Sequence, residues 1–236
     1  MGEGIGNDED LMPFISSANI ACGFHAGNGE TIRHTMDLAI QFGVHIGAHP
    51  SFRDRENFGR KEIKMVPEKL YALIIEQLIK LDLIAKERGA RIHHVKPHGA
   101  LYNMAARDAA MAKIIAQAVC DFDEQMILYG LSGSALVMEA QALGLTTWNE
   151  VFADRTYQED GSLTPRSQDN ALIEDEDQCI HQVQQMIQEG KVTTVSGKRI
   201  PLVVQTICIH GDGKNAVRFA KRLHKTLQDL EALHPE

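Results

Sequence analysis

The stretch Ser17-Ala18-Asn19-Ile20-Ala21-Cys22-Gly23-Phe24-His25 alternates between two kinds of side chain and points to the fold. Successive side chains of a β-strand face opposite sides of the sheet. One side of this strand would carry Ser17, Asn19, Ala21, Gly23 and His25. The other would carry Ala18, Ile20, Cys22 and Phe24. The second side is apolar and suits packing against helices, whereas the first is small or polar and ends in a histidine.

Further β-like runs alternate with helical stretches along the rest of the chain. The predicted strands are residues 17–24, 44–48, 92–96, 126–131, 146–152 and 203–209. The predicted helices are residues 30–42, 67–88, 108–121, 135–143, 175–188 and 215–233. A short hairpin is predicted from residues 192–195 and 198–200. This alternation predicts one α/β domain over residues 1–236.

Six strands are fewer than the eight of a common closed parallel β/α barrel. The opening Met1-Gly2-Glu3-Gly4 is typical of a loop that leaves a strand. We therefore expect a barrel-like fold whose first strand is missing from this sequence.

Polar residues recur where the predicted strands end. Four strands end in His25, in His49, in Lys96 with His98, and in His210 with Asp212, and a fifth is followed by Asp154 and Arg155. The carboxyl ends of parallel strands meet at one rim, where β/α barrels place their active sites. The recurrence therefore predicts one shared polar site.

The residue types at this rim indicate acid–base chemistry. Imidazole titrates near neutral pH, a buried lysine can change its pKa, and Asp154 or Asp212 could orient a histidine or act as a base. Arg155 is suited to holding a carboxylate or phosphate. Histidines with aspartate also make a divalent metal an open alternative. Gly130-Leu131-Ser132-Gly133-Ser134 lacks the spacing of a nucleophile elbow, and His210-Gly211-Asp212-Gly213-Lys214 lacks that of a phosphate loop.

Composition excludes several other classes of protein. The 236 residues are 44% hydrophobic and 24% charged, which is too apolar for a disordered chain. The net charge of −8, without a basic block, argues against nucleic-acid and anionic-membrane surfaces. We expect no signal peptide, since the chain opens with the polar, glycine-rich residues 1–6, and no apolar run is long enough to cross a membrane. Four scattered cysteines, without a CxxC pair, are expected to be buried free thiols in a reducing cytoplasm.

Five motifs resemble the LamB/YcsF family, and together they span essentially the whole chain. They are Ser16-Ser17-Ala18-Asn19-Ile20-Ala21-Cys22-Gly23-Phe24-His25-Ala26-Gly27, Ile46-Gly47-Ala48-His49-Pro50, His94-Val95-Lys96-Pro97-His98-Gly99-Ala100-Leu101-Tyr102-Asn103, Glu150-Val151-Phe152-Ala153-Asp154-Arg155 and Thr206-Ile207-Cys208-Ile209-His210-Gly211-Asp212. The resemblance implies a distorted seven-stranded, TIM-like β/α barrel of the glycoside hydrolase/deacetylase kind. Family members open with a strand similar to D-L-N-C-D-(L/M)-G-E, of which only Met1-Gly2-Glu3 is present here.

The resemblance also implies a function: ATP-dependent opening of 5-oxo-L-proline to L-glutamate, together with B and C subunits of a 5-oxoprolinase. We expect those partners to handle ATP, and a homo-oligomer is left open. The expected catalytic residues are Lys96, His98, Asp154, His210 and Asp212. The expected substrate-binding residues are Glu3, Asn19, His25, His49 and Arg155. Two alternatives are a stand-alone metal-dependent amidohydrolase or deacetylase, and a non-catalytic lactam-binding subunit.

Overall fold

A computed structural model describes residues 1–213 and 215–233, and its centre is a curled parallel sheet. The strands are β1 (Ser17–Ala21), β2 (His45–His49), β3 (His94–Val95), β4 (Ile127–Leu131), β5 (Thr147–Phe152) and β8 (Thr206–Cys208), and they lie side by side in that order. All five pairings are parallel, so every strand ends at the same rim. Six strands of the expected seven-stranded barrel are thus present, curled into a half-barrel.

Helices cover the outer side of this sheet. They are α1 (Asp8–Leu11), α2 (Gly29–Phe42), α3 (Pro67–Glu87), α4 (Gly99–Arg107), α5 (Ala109–Phe122), α6 (Ala135–Ala142), α7 (Glu176–Glu189) and α8 (Ala216–Leu233). Their apolar faces pack on the outward residues of the strands, such as Ile20, Ala48 and Val95, each of which is fully buried. A separate antiparallel hairpin consists of β6 (Lys191–Thr193) and β7 (Arg199–Pro201).

The sequence determines the helix ends locally. Asn28 caps α2, because its side-chain oxygen accepts hydrogen bonds from the backbone of Glu30 and Thr31 at 2.9 Å. The hydroxyl of Thr31 accepts from the Asn28 backbone nitrogen in return at 2.8 Å, which completes a capping box. Gly43 ends the helix with φ of 68°, a conformation that glycine adopts without a steric penalty.

All six predicted helices are present, with ends that differ by at most one residue. Five of the six predicted sheet strands are too long, and the sixth, residues 44–48, is displaced by one residue from β2. The chain leaves the sheet after β1 because Gly23 turns it with φ of 82°, so His25 lies beyond the strand end. Two helices were not predicted. Of these, α1 has a single turn, and α4 follows directly from β3 through His98.

The first residues lie beside β1 at the free edge of the sheet. The Met1 nitrogen donates to the Asn19 carbonyl at 2.9 Å, and the Met1 carbonyl accepts from the Ala21 backbone nitrogen at 2.9 Å. This is the hydrogen-bond pattern of a parallel strand neighbour. It places Glu3 at the rim, close to the ends of β1 and β2.

All four cysteines are free. Cys22 and Cys179 are buried, as expected, whereas the prediction of burial is wrong for Cys120 and Cys208, which are half-buried. Within residues 1–213 and 215–233, no helix combines the length and the apolar character that a bilayer-spanning segment needs.

Candidate active site

A cavity of about 1240 Å³ opens on the inner side of the half-barrel, at the carboxyl ends of its strands. Most of the predicted site residues line it, namely Glu3, Asn19, His49, Lys96, His98, Arg155, His210 and Asp212. The other two, His25 and Asp154, lie directly behind the lining, where each contacts one of its members. The rim therefore brings the predicted residues together, as the parallel arrangement of the strands requires.

A buried ion pair forms the floor of the cavity. Lys96, which follows β3, places its Nζ 2.6 Å from Oε1 of Glu150 in β5, and the two side chains are only 6% and 2% exposed. The Tyr102 hydroxyl donates to the second carboxylate oxygen of Glu150 at 2.8 Å. Lys96 Nζ also donates to the Cys208 sulfur in β8 at 3.1 Å. Three strands and α4 thus converge on one ammonium group.

This environment keeps Lys96 positively charged. Burial acts to lower the pKa of Lys96, but Cys208 and Glu150 outweigh it and the pKa is raised. Burial also raises the pKa of the Cys208 thiol to about 12, so the thiol is neutral at pH 7 and the Glu150 carboxylate, 2.6 Å away, is the ionic partner of the lysine. A permanently charged ammonium is suited to stabilising negative charge and unsuited to removing a proton.

An aspartate–histidine pair occupies another part of the rim. The Nδ1 atom of His210 lies 2.8 and 3.0 Å from the two carboxylate oxygens of Asp154. Although burial opposes ionisation, His210 lowers the pKa of Asp154, so that Asp154 is an anion near neutral pH. The carboxylate accepts the hydrogen bond from Nδ1, which leaves Nε2 as the nitrogen that can accept a proton. His210 lines the cavity, so this pair can supply a general base.

Three histidines pack together near Glu3. The rings of His25 and His98 stack with their centroids 3.8 Å apart. His25 Nε2 lies 3.2 Å from the carboxylate of Glu3, and His98 Nδ1 lies 3.0 Å from Nε2 of His49. Burial, and secondarily His25, lowers the pKa of His98 to about 3. Among the described residues, Glu3, His49 and His98 form the group whose ligand atoms are close enough to hold a metal ion.

Arg155 and Asp212 both use their side chains in structural contacts. Arg155 is buried, and its guanidinium donates to the carbonyls of Thr164 and Ala171 at 2.5 and 3.1 Å, which fixes the loop after β5. Asp212 pairs with Arg60 at 2.9 Å across the cavity mouth, where both side chains are about one-third exposed. Binding of a substrate carboxylate by Arg155, and catalysis by Asp212, stay predictions.

Asn19 contacts His94 on the inner face of the sheet. The Nε2 atom of His94 donates to the Asn19 side-chain oxygen at 3.0 Å, and the ring stacks on Tyr129 at 4.0 Å. Gly47, the neighbour of His94 in β2, leaves room for this ring, since a Cβ at that position would lie 2.1 Å from His94 Nε2. His94 thereby holds the Asn19 amide in place at the cavity wall.

The buried His94 is expected to make stability depend on pH. Burial, and then His93 and Lys96, lowers the pKa of His94 well below its usual 6.5, so the folded protein keeps it neutral while the unfolded chain protonates it. Stability is therefore complete above pH 6.5 and falls below it, by about 1.4 kcal/mol per pH unit for one proton. Urea unfolding from pH 7.5 to 5 should show this slope. In His94→Gln the slope should be smaller, and in the exposed-helix control His34→Gln it should be unchanged. An equal slope in His94→Gln would contradict the assignment.

Several residues of the cavity were not predicted from the sequence. Glu150 belongs to one of the family motifs and was given no role, yet it is the partner of Lys96. The alternation along β5 places Glu150 on the same side as Trp148 and Phe152, which line the cavity, and this pattern could have identified it. Arg60 and Arg166 lie in loops without a regular pattern, so that nothing in the sequence placed them at the mouth. There, burial and then the charge of Arg60 lower the pKa of Arg166.

Comparisons with known proteins agree with this architecture. A protein from Geobacillus kaustophilus, named as the A subunit of 5-oxoprolinase, is 52% identical over 94% of this chain and 86% of its own length. The protein of the same name from Shouchella clausii is 54% identical over 95% of this chain and 88% of its own. The crystal structure of a lactam utilization protein from Thermus thermophilus has a TM-score of 0.88 at 39% identity, covering 95% of this chain and 90% of that one.

A structure from Enterococcus faecalis, at 9% identity and a TM-score of 0.58, shares the fold alone. The family model described as LamB/YcsF matches residues 1–233. Because this match spans all five of the motifs that resemble the family, the chain belongs to the LamB/YcsF family.

Proposed function

We propose that this chain is the A subunit of a 5-oxoprolinase, which opens 5-oxo-L-proline to L-glutamate at the expense of ATP. The observation that carries the proposal is a cavity that combines a fixed cation, Lys96, with a candidate base, His210, in a chain about half identical to proteins named for this role. The free cysteines favour a cytoplasmic location.

The chemistry explains why ATP is needed. A lactam amide is a poor electrophile, and a phosphoryl group on its oxygen activates the ring carbon. Water then adds to that carbon, the ring C–N bond breaks and its nitrogen leaves as the amine of glutamate. A second water hydrolyses the resulting acyl phosphate to the carboxylate and inorganic phosphate. The sequence has no phosphate loop, so in this proposal the B and C subunits bind ATP and this chain carries out the hydrolysis.

The residues of the cavity have distinct roles in this proposal. His210, oriented by Asp154, removes the proton from the attacking water. Lys96 stabilises the negative charge that develops on oxygen. Arg155, with Arg60 and Arg166 at the mouth, provides positive charge for the substrate carboxylate.

The Glu3, His49 and His98 cluster favours one alternative, a metal-dependent amidohydrolase that acts alone. Its requirements differ from those of the proposed subunit, since it needs neither ATP nor a partner. A non-catalytic lactam-binding subunit would instead keep the full rate of the complex when Lys96 is changed.

Reconstitution tests the proposal. Glutamate release from 5-oxoproline is measured with this chain alone, with B and C subunits alone, and with all three, each with and without ATP. Glutamate is expected only from the complete mixture with ATP. Glutamate release by this chain alone, without ATP, would contradict the proposal and support the stand-alone amidohydrolase. If the B and C subunits released glutamate at the full rate without this chain, the chain would have no part in the reaction.

A further inference from the structure

The hydrogen bonds of His49 and His98 leave two bare nitrogens facing each other. His49 Nδ1 lies 2.7 Å from the Lys96 carbonyl, and His98 Nε2 lies 2.8 Å from the Phe58 carbonyl. A carbonyl oxygen can only accept, so each of these nitrogens carries the hydrogen. In the neutral rings, His49 Nε2 and His98 Nδ1 therefore have no hydrogen between them, although they are 3.0 Å apart.

Two lone pairs at this distance repel each other unless a shared proton or a metal ion lies between them. The spacing fits a metal ion: two nitrogens bound to a tetrahedral zinc, each at about 2.05 Å, are separated by about 3.3 Å. Metal-binding histidines characteristically donate their other ring N–H to a backbone carbonyl, which fixes the tautomer and the ring orientation. Both rings here have that support.

The backbone around these rings is shaped to place the carbonyl groups that accept hydrogen bonds from them. Phe58 has a φ of 54°, an unfavourable conformation for a residue with a side chain, and its carbonyl is the one that accepts from His98. Gly59 then passes close to the ring, where a Cβ would lie 2.9 Å from His98 Cδ2. Strain of this kind persists where the surrounding structure requires a particular position, often at a functional site.

A carboxylate completes the set. Glu3 offers an oxygen within 4.8 Å of a ring nitrogen of His49 and of a ring nitrogen of His98, and its side chain is 13% exposed at the cavity. His25 lies 3.2 Å from Glu3 and 2.8 Å from the Ser51 hydroxyl, so it holds the carboxylate toward the other two groups. Two imidazoles and a carboxylate are a ligand set for a divalent first-row transition metal, with further coordination positions open to the cavity.

We propose that His49 Nε2, His98 Nδ1 and the Glu3 carboxylate bind one divalent transition-metal ion, with Zn²⁺ as the expected occupant. The binding site rests on these residues alone. Only the part that the ion would play beside a lactam, as a Lewis acid at the carbonyl oxygen, rests on the proposed function.

Metal titration of the purified chain tests this site without ATP, substrate or partner subunits. After chelator treatment, Zn²⁺ is titrated by calorimetry and Co²⁺ by its visible absorption. One ion per chain is expected, with Co²⁺ bands typical of nitrogen ligation. His49→Gln and His98→Gln should weaken binding at least 100-fold, whereas His45→Gln, an exposed histidine of the same strand, should leave it unchanged.

Circular dichroism identifies any variant that fails to fold, and nitrogen-15 spectra of the metal-free native chain provide a second readout. They should show His49 protonated on Nδ1 and His98 on Nε2. The proposal is overturned if the native chain binds no stoichiometric metal, if both variants bind as tightly as the native chain, or if the tautomers are reversed. Glutamate release by the complex does not enter these readouts, so failure of the metal site and failure of the proposed function are distinguishable.

Discussion

Replacing Glu150 with glutamine is expected to lower the free energy of unfolding by about 3–5 kcal/mol, since it leaves the buried Lys96 ammonium without its counter-ion. Glu62→Gln is the matched control, because Arg107 and Glu62 are also 2.6 Å apart but more than half exposed. An exposed pair of that kind contributes only about 0–1 kcal/mol. Urea unfolding at pH 7 measures both.

The double variant Lys96→Met/Glu150→Gln separates stability from function. With neither charge present, no unpaired ion is buried, and the double variant should be more stable than Glu150→Gln alone. Glutamate release by the reconstituted complex should nevertheless fall about 10²–10³-fold, as expected when one group that stabilises developing charge is removed. A double variant with undiminished glutamate release would show that Lys96 has no part in the reaction.

Asp154→Asn is expected to lower kcat of the reconstituted complex by about 10²–10⁴-fold. An amide can donate to Nδ1 of His210 and so move the ring hydrogen to Nε2, where the basic nitrogen is needed. Asp154 acts through His210 and is a positioning residue, so KM for 5-oxoproline should change less than kcat. Initial rates over a range of 5-oxoproline concentrations separate the two constants.

Two further substitutions check this assignment. Asp154→Glu keeps a carboxylate and should recover part of the lost rate. Asp212→Asn should have the smaller effect, because Asp212 pairs with Arg60 at the exposed mouth and not with His210. A larger loss of kcat in Asp212→Asn than in Asp154→Asn would make Asp212 the important carboxylate. It would contradict the assignment of His210, oriented by Asp154, as the base.

Side-chain chemistry in the sequence was enough to predict the order of the strands and of six of the eight α-helices. The alternation in residues 17–25 separates the inner from the outer face, and Gly43 and Gly190, which end helices with positive φ, are local signals of the same kind. Histidines at several strand ends identified the rim, because parallel strands all end on the same side. These signals are local or periodic, and they do not depend on which residues meet in space.

The partners of those residues were decided only by the tertiary structure. Glu150 is far from Lys96 in sequence, and its importance comes from the curl of the sheet, which brings the Glu150 side chain of β5 to Lys96 at the end of β3, two strands away. Arg155 was expected to hold substrate, but its donors also bind loop carbonyls that no sequence pattern reveals.

The protonation of His49 and His98 likewise depends on carbonyl groups at Lys96 and Phe58, which the folded backbone alone positions. The sequence by itself determined the family, the order of the strands and of most helices, and the chemical types gathered at the rim. Pairings, desolvation and tautomers were decided by the fold, since they depend on distances of a few ångströms between segments far apart in the chain.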